Sequence, residues 1–119
     1  MKKQFIPYDR ALKLKALGFD VMCIMWYNKT ELVLNYNKNT ESWQSEYTCS
    51  APLWQQAFDW FRKEWAIHSW IRPNLVIDIP ITYQFSIDDN IDEEWHHTYE
   101  QAELARLDKL IEIVEQQKK

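Results

Sequence analysis

The chain has one glycine and two cysteines in 119 residues, and each scarcity excludes a class of function. A lone Gly18 cannot build the glycine-rich loop that cradles phosphates, and no GxSxG elbow or comparable nucleophile motif occurs. Among Cys23, Cys49, His68, His96 and His97 there is no CxxC or HxxxH pairing. The spacing of a structural zinc site is therefore missing, no metal or other cofactor is expected, and the histidines read as surface or capping residues. No apolar stretch approaches the roughly 18 residues of a membrane span, so no membrane partner is expected. Lys2 and Lys3 begin as an export signal does, but Gln4, Pro7, Asp9 and Arg10 break any apolar run behind them. The expectation is a cytoplasmic chain with free thiols.

What is present is a globular composition, 46% hydrophobic and 27% charged with four prolines, and a length suited to one domain over residues 1–119. Seven Trp, six Tyr and five Phe are more aromatic surface than a core of this size hides, so some of it must reach solvent. Trp43, Trp70 and Trp95 fall outside the clear core patterns. They are the candidate interaction surface, for a protein partner or a second copy of the chain. The net charge of −4 conceals an asymmetry. Residues 1–15 hold five basic side chains against Asp9 alone, whereas residues 88–103 hold seven acidic ones and no Lys or Arg. Each run reads as a solvated face, as half of a mutually neutralising pair, or as a polar contact surface.

The longest unambiguous segment is SAPLWQQAFDWFRKEWAI, Ser50–Ile67. Leu53, Trp54, Ala57, Phe58, Phe61 and Trp65 recur at helical spacing, Trp60 falls at the stripe's edge, and Ser50 stands where an N-cap is wanted, with Pro52 in the first turn. Such a large apolar stripe calls for a sheet beneath it. Upstream, a short helix is expected from Pro7 to Leu17, closed by Gly18. Phe19–Asn28, apolar on both parities, reads as a strand covered on both faces, and Glu31–Tyr36 as its hairpin partner.

Asn37–Cys49 reads as a loop, with a possible strand through Trp43 and Tyr47. Ile67–Arg72 reads as a brief strand ending at Pro73. Leu75–Ile87 alternates apolar and polar, so one face should be dry and the other wet, with a bend, an edge or a break at Pro80. Thr98 and Gln101 have the form of a capping box, opening a helix through Leu104, Leu107, Leu110, Ile111 and Val114. The order α-β-β-α-β-(β)-α predicts an α+β fold: an antiparallel sheet of three to five strands with helices packed mainly on one face.

Three segments taken together, Ile6–Asp20, APLWQQAFDWFRKEW at Ala51–Trp65 and Tyr99–Gln117, resemble a family of small proteins encoded in phages, prophages and related mobile elements of gut bacteria. The resemblance spans nearly the whole chain in order. It implies a mobile-element setting and a cytoplasmic location, and it carries over no activity and no residue role.

Asp88, Asn90 and Asp92 have the spacing that opens a calcium loop, but Glu93 stands where Gly is needed and Tyr99 where a bidentate Glu is needed. Cys23 beside His68 is a conceivable nucleophile arrangement, yet a mid-strand cysteine is ordinarily an inert small hydrophobe. The expected function is therefore non-enzymatic, an accessory role exercised by protein–protein interaction. The alternative is a nucleic-acid-linked role, either binding through Lys2, Lys3, Arg10, Lys13 and Lys15 or mimicking DNA through the acidic segment. An acidic chain makes nucleic acid the weaker choice, because affinity for phosphates comes chiefly from Lys and Arg.

Overall fold

The computed structural model describes residues 4–34, 48–74, 80–88, 90–91 and 94–118. Along them run α1 (Tyr8–Ala16), β1 (Met25–Asn28), β2 (Glu31–Leu34), β3 (Thr48–Ala51), α2 (Trp54–Trp65), β4 (Ser69–Pro73), β5 (Tyr83–Ile87), β6 (Asn90–Ile91) and α3 (Tyr99–Gln117). The chain is α+β and its sheets are antiparallel, as expected. The strands are shared between two three-stranded sheets, ordered β2-β1-β3 and β4-β5-β6. They belong to two units, Met1–Trp60 and Phe61–Lys119, and α2 begins in the first and ends in the second.

In the first unit, Gly18 ends α1 at φ +99°, with its N–H donating to the Lys15 carbonyl and the Phe19 N–H to the Leu14 carbonyl. That pair of bonds is the Schellman closure, and the buried Leu14 and Phe19 supply its apolar contact. A methyl group at Gly18 would meet nothing within 4 Å, so what the position demands is the left-handed backbone, not room.

Strand β1 lies between β2 and β3, and Asn28 faces Glu31 across a two-residue connection whose Lys29 takes φ 55°. Tyr27, Cys49 and Ala51 are buried on one face, and the Tyr27 hydroxyl donates to the Ile6 carbonyl at 2.6 Å. The same ring meets Tyr8 of α1 edge-on at 5.4 Å. The segment before α1 is tied by Ile6 N–H to the Pro52 carbonyl at 2.9 Å.

Several expectations need correction in this unit. Only Met25–Asn28 of the Phe19–Asn28 run pairs as strand, and it is not covered on both faces: Phe19 and Cys23 are buried while Met22 and Ile24 stand exposed. Apolar character fixes neither burial nor pairing here, because the turn at Gly18 redirects the chain and pairing begins only at Met25. Ser50 is not the N-cap of α2. It lies in β3 opposite Trp26, its backbone committed to the ladder, and α2 starts after Pro52. The helix is capped from within, the Gln56 side-chain oxygen accepting from Leu53 N–H at 2.9 Å. Trp60, placed at the stripe's edge by spacing, is buried against Phe19 at 5.5 Å, whereas Trp54 and Trp65 are only half-buried. Thr48–Ala51 is strand where the end of a loop was expected. Asn37–Tyr47, with Trp43, lies outside the described residues.

In the second unit β5 is central. Helix α3 packs on β5 and β4 through the face that carries Ser69, Phe85 and Ile87, and it buries Ala102, Leu107, Leu110, Ile111 and Val114. Its start is as the sequence predicts, with Thr98 Oγ1 accepting from Gln101 N–H at 3.1 Å. The return bond to Gln101 Oε1 comes from His97 N–H, one residue further out than a standard box. Of the Leu75–Ile87 alternation, Leu75–Ile79 lies outside the described residues, and β5 occupies only Tyr83–Ile87, beyond Pro80. Within β5 the predicted wet face is not wet, with Gln84 5% exposed and Ser86 2%, whereas before the strand Pro80 is exposed as expected and Ile81, on the side predicted to be dry, is 53% exposed. Gln84 and Ser86 each sit mid-sheet between two neighbouring strands or bridges, and the Gln84 amide oxygen is satisfied by Arg72.

Candidate interaction face

Directly opposed residues of an antiparallel pair emerge on one face of a sheet, and residues two apart on a strand do too. The register Trp70↔Ser86↔Ile91 therefore makes one row across β4, β5 and β6, and Arg72↔Gln84 begins a second row beside it. This is the face opposite the one α3 covers. Arg72 Nε and Nη2 both donate to Gln84 Oε1, at 3.1 and 2.8 Å, and the guanidinium carbon sits 5.9 Å from the centroid of the Trp95 ring. A cation over an indole in this geometry contributes about 0.5–1 kcal/mol when exposed. Trp95 is carried to the face by the chain that returns along β5, where His96 exchanges backbone hydrogen bonds with Tyr83 at 2.7 and 2.8 Å. His96 itself stacks on Phe85, on the α3 side.

The face thus has a buried polar floor, Gln84 and Ser86, and an exposed aromatic and aliphatic rim: Trp70 at 46%, Trp95 at 43% and Ile91 at 53% exposure. Two of the three tryptophans singled out from sequence, Trp70 and Trp95, are brought to this one face through Arg72. Trp43 lies outside the described residues. Sequence reasoning missed Arg72 and Ile91. The two-residue spacing of Trp70 and Arg72 in a predicted strand was the available signal.

The outer edge of β4 is blunted. Asp88 N–H donates to the His68 carbonyl and Asn74 N–H to the Thr82 carbonyl, so Ser69, Ile71 and Pro73, which alternate with these positions, direct their backbone groups away from β5. Pro73 has no N–H, and the Ser69 carbonyl accepts from Arg106 Nη2 at 2.8 Å while its hydroxyl accepts from Arg106 Nε at 2.7 Å. Burial lowers the Arg106 pKa to about 10, partly opposed by Tyr99 and Glu103. Burial also raises the Glu103 carboxyl, with Arg106 opposing and Glu100 adding to the shift.

The thiols are buried in the first unit. Desolvation pushes Cys23 up to about 12, against a lowering hydrogen bond from Ser50, and pushes Cys49 up to about 11, with Lys15 opposing. Both stay protonated at neutral pH, which is the opposite of an activated nucleophile. Among the described residues no three His, Cys, Asp or Glu side chains converge as a metal site, and no helix is long and apolar enough to cross a membrane. Comparison of the chain with protein-family models, curated proteins and solved structures finds no match in any of the three.

Proposed function

We propose that this chain is a non-enzymatic binding module that engages a protein partner through the Trp70–Arg72–Trp95 face of its second sheet, as a cytoplasmic accessory factor of a phage or other mobile element. The observation that carries the reading is the gathering of two half-exposed tryptophans and an arginine on a single sheet face. Trp and Arg are the residues most enriched where binding energy concentrates. Gln84 holds Arg72 by two hydrogen bonds, so part of the ordering cost of association is already met. The mobile-element setting draws on the resemblance of the three segments named above. The nucleic-acid reading draws on the basic start of the chain, and it is weaker because the Lys15 ammonium is engaged with the Thr48 carbonyl at 2.7 Å. The test is affinity capture with the wild-type chain and with Trp70→Thr and Trp95→Ala as baits. A partner retained by the first and lost by both variants, with circular dichroism unchanged, supports the reading. Equal retention by all three overturns it, and sedimentation of the same proteins separates self-association from a foreign partner.

A further inference from the structure

We propose that Arg72 is a carboxylate receptor: the segment of a partner protein that docks here brings an Asp or Glu side chain to it, set between apolar residues. The proposal rests on the reading that the face binds a protein at all. Among the described residues Arg72 is the one charge on this face, it stands exposed, and no carboxylate pairs with it. Its orientation is already set. Gln84, itself 5% exposed, accepts from both Nε and Nη2, and the Trp95 ring centroid lies 5.9 Å from the guanidinium carbon. Those two bonds occupy the Nε side of the fork, so the Nη1 edge, with the second Nη2 proton beside it, is left to donate two parallel hydrogen bonds to a carboxylate. A guanidinium held in this way loses little freedom on pairing, and a lysine in its place has no such fork. Trp70, two residues along the same strand, and Trp95, against the guanidinium, supply apolar contacts that keep water from the pair. The burial of Ser86 does not close this surface, because Ser86 lies in register between the larger Trp70 and Ile91, and both of these stay exposed. The net charge of −4 gives a long polyanion no field to follow, whereas a single carboxylate needs only the local pair. Arg106 on the Ser69 carbonyl and Pro73 without an N–H disfavour strand addition at the β4 edge, so recognition falls to side chains on the face.

Titration calorimetry of the full chain with three probes tests this: a synthetic peptide alternating Glu with Leu, the same peptide with Gln at every Glu, and a single-stranded oligothymidylate. The Glu peptide is expected to bind, and the Gln peptide to bind about tenfold more weakly. Arg72→Lys, which keeps the charge and loses the fork, should cost the Glu peptide about five- to tenfold and leave the Gln peptide within about twofold. Trp70→Thr, which keeps a β-branched residue in the strand, is expected to weaken both peptides by about tenfold, and Trp95→Ala, outside any strand, serves as the second variant. Equal binding of the Glu and Gln peptides, with the same dependence on Trp70, overturns the carboxylate assignment and leaves the protein-binding reading standing. Binding of the Glu peptide that ignores Arg72→Lys and both tryptophan variants overturns the face itself. Preference for the oligonucleotide overturns both, and failure of all three probes to bind overturns the carboxylate assignment.

Discussion

Raising the pH from 8 to 10 is expected to destabilise the chain by about 3 kcal/mol, and two buried thiols account for most of it. Cys23 and Cys49 have an ordinary pKa of 9.0, which applies once the chain unfolds, and burial lifts them to about 12 and about 11 in the fold. Tyr27, buried with its hydroxyl on the Ile6 carbonyl, moves from 10.0 to about 12, chiefly by desolvation. A group whose folded pKa lies above its unfolded value contributes stability that is whole below the unfolded value and is lost as pH rises toward the folded one. One pH unit above 9.0 therefore removes on the order of 1 kcal/mol per thiol, and the tyrosine adds a smaller loss in the same direction. Against a total of about 5–15 kcal/mol for a small domain, this is a shift that urea denaturation followed by circular dichroism resolves easily. The control is Cys23→Ala with Cys49→Ala. The difference between the pH slopes of the two proteins isolates the thiols at roughly 2–3 kcal/mol over the interval. Parallel slopes for the two proteins would refute the reasoning, as would rapid thiol modification of the native wild type at pH 8.

Gly18→Ala should cost about 1 kcal/mol by forcing a side chain into the left-handed region, with Gly18→Asn recovering part of that loss in the same thermal melts. The converse holds at Ala66, which follows α2 at φ 54°: Ala66→Gly should gain about 0.5 kcal/mol, and a loss on this change would contradict the assigned backbone. Thr98→Ala removes the acceptor for Gln101 N–H and is expected to destabilise by about 1 kcal/mol. The raised pKa of Glu103 means that its contribution is whole below the usual carboxylate value of 4.5 and is lost as pH rises through its folded value. Glu103→Gln should therefore flatten the acid-to-neutral stability profile and leave the protein at least as stable at pH 7, and a variant weaker at pH 7 than at pH 4.5 relative to wild type counts against this.

The parts of the fold that could be read from sequence are those set by chemistry within a few residues. Gly18 closing α1 and Thr98 opening α3 are such cases, because each satisfies backbone groups of its own turn. The start of α2 is also local but inverted: Gln56 reaches back from inside the helix, so a search for an upstream hydroxyl finds Ser50, which Trp26 has already claimed for a ladder. Ala66 hides a left-handed position under a residue type that does not advertise one. The alternation after Pro80 misjudged Gln84 and Ser86, because side-chain type reports what a residue prefers and not which partner a neighbouring strand supplies.

The candidate interaction face shows the same limit from the other side. Trp70 and Trp95 stood out because they fit no core stripe, a negative signal open to any single sequence. That they share a surface depends on the β4–β5 register, which sets Arg72 opposite Gln84, and on the return of the chain past Tyr83, which delivers Trp95. A shift of that register by one residue would turn Arg72 to the α3 side and bring Ile71 out in its place, separating the guanidinium from the indole. Arg106, bonded to both polar oxygens of Ser69, fixes which face of β4 meets α3, and so it decides from the buried side which side chains the exposed side presents. Its burial lowers its own pKa, so the guanidinium carries a desolvation cost to hold that position. The exposed side of β4 is thus specified from its buried side.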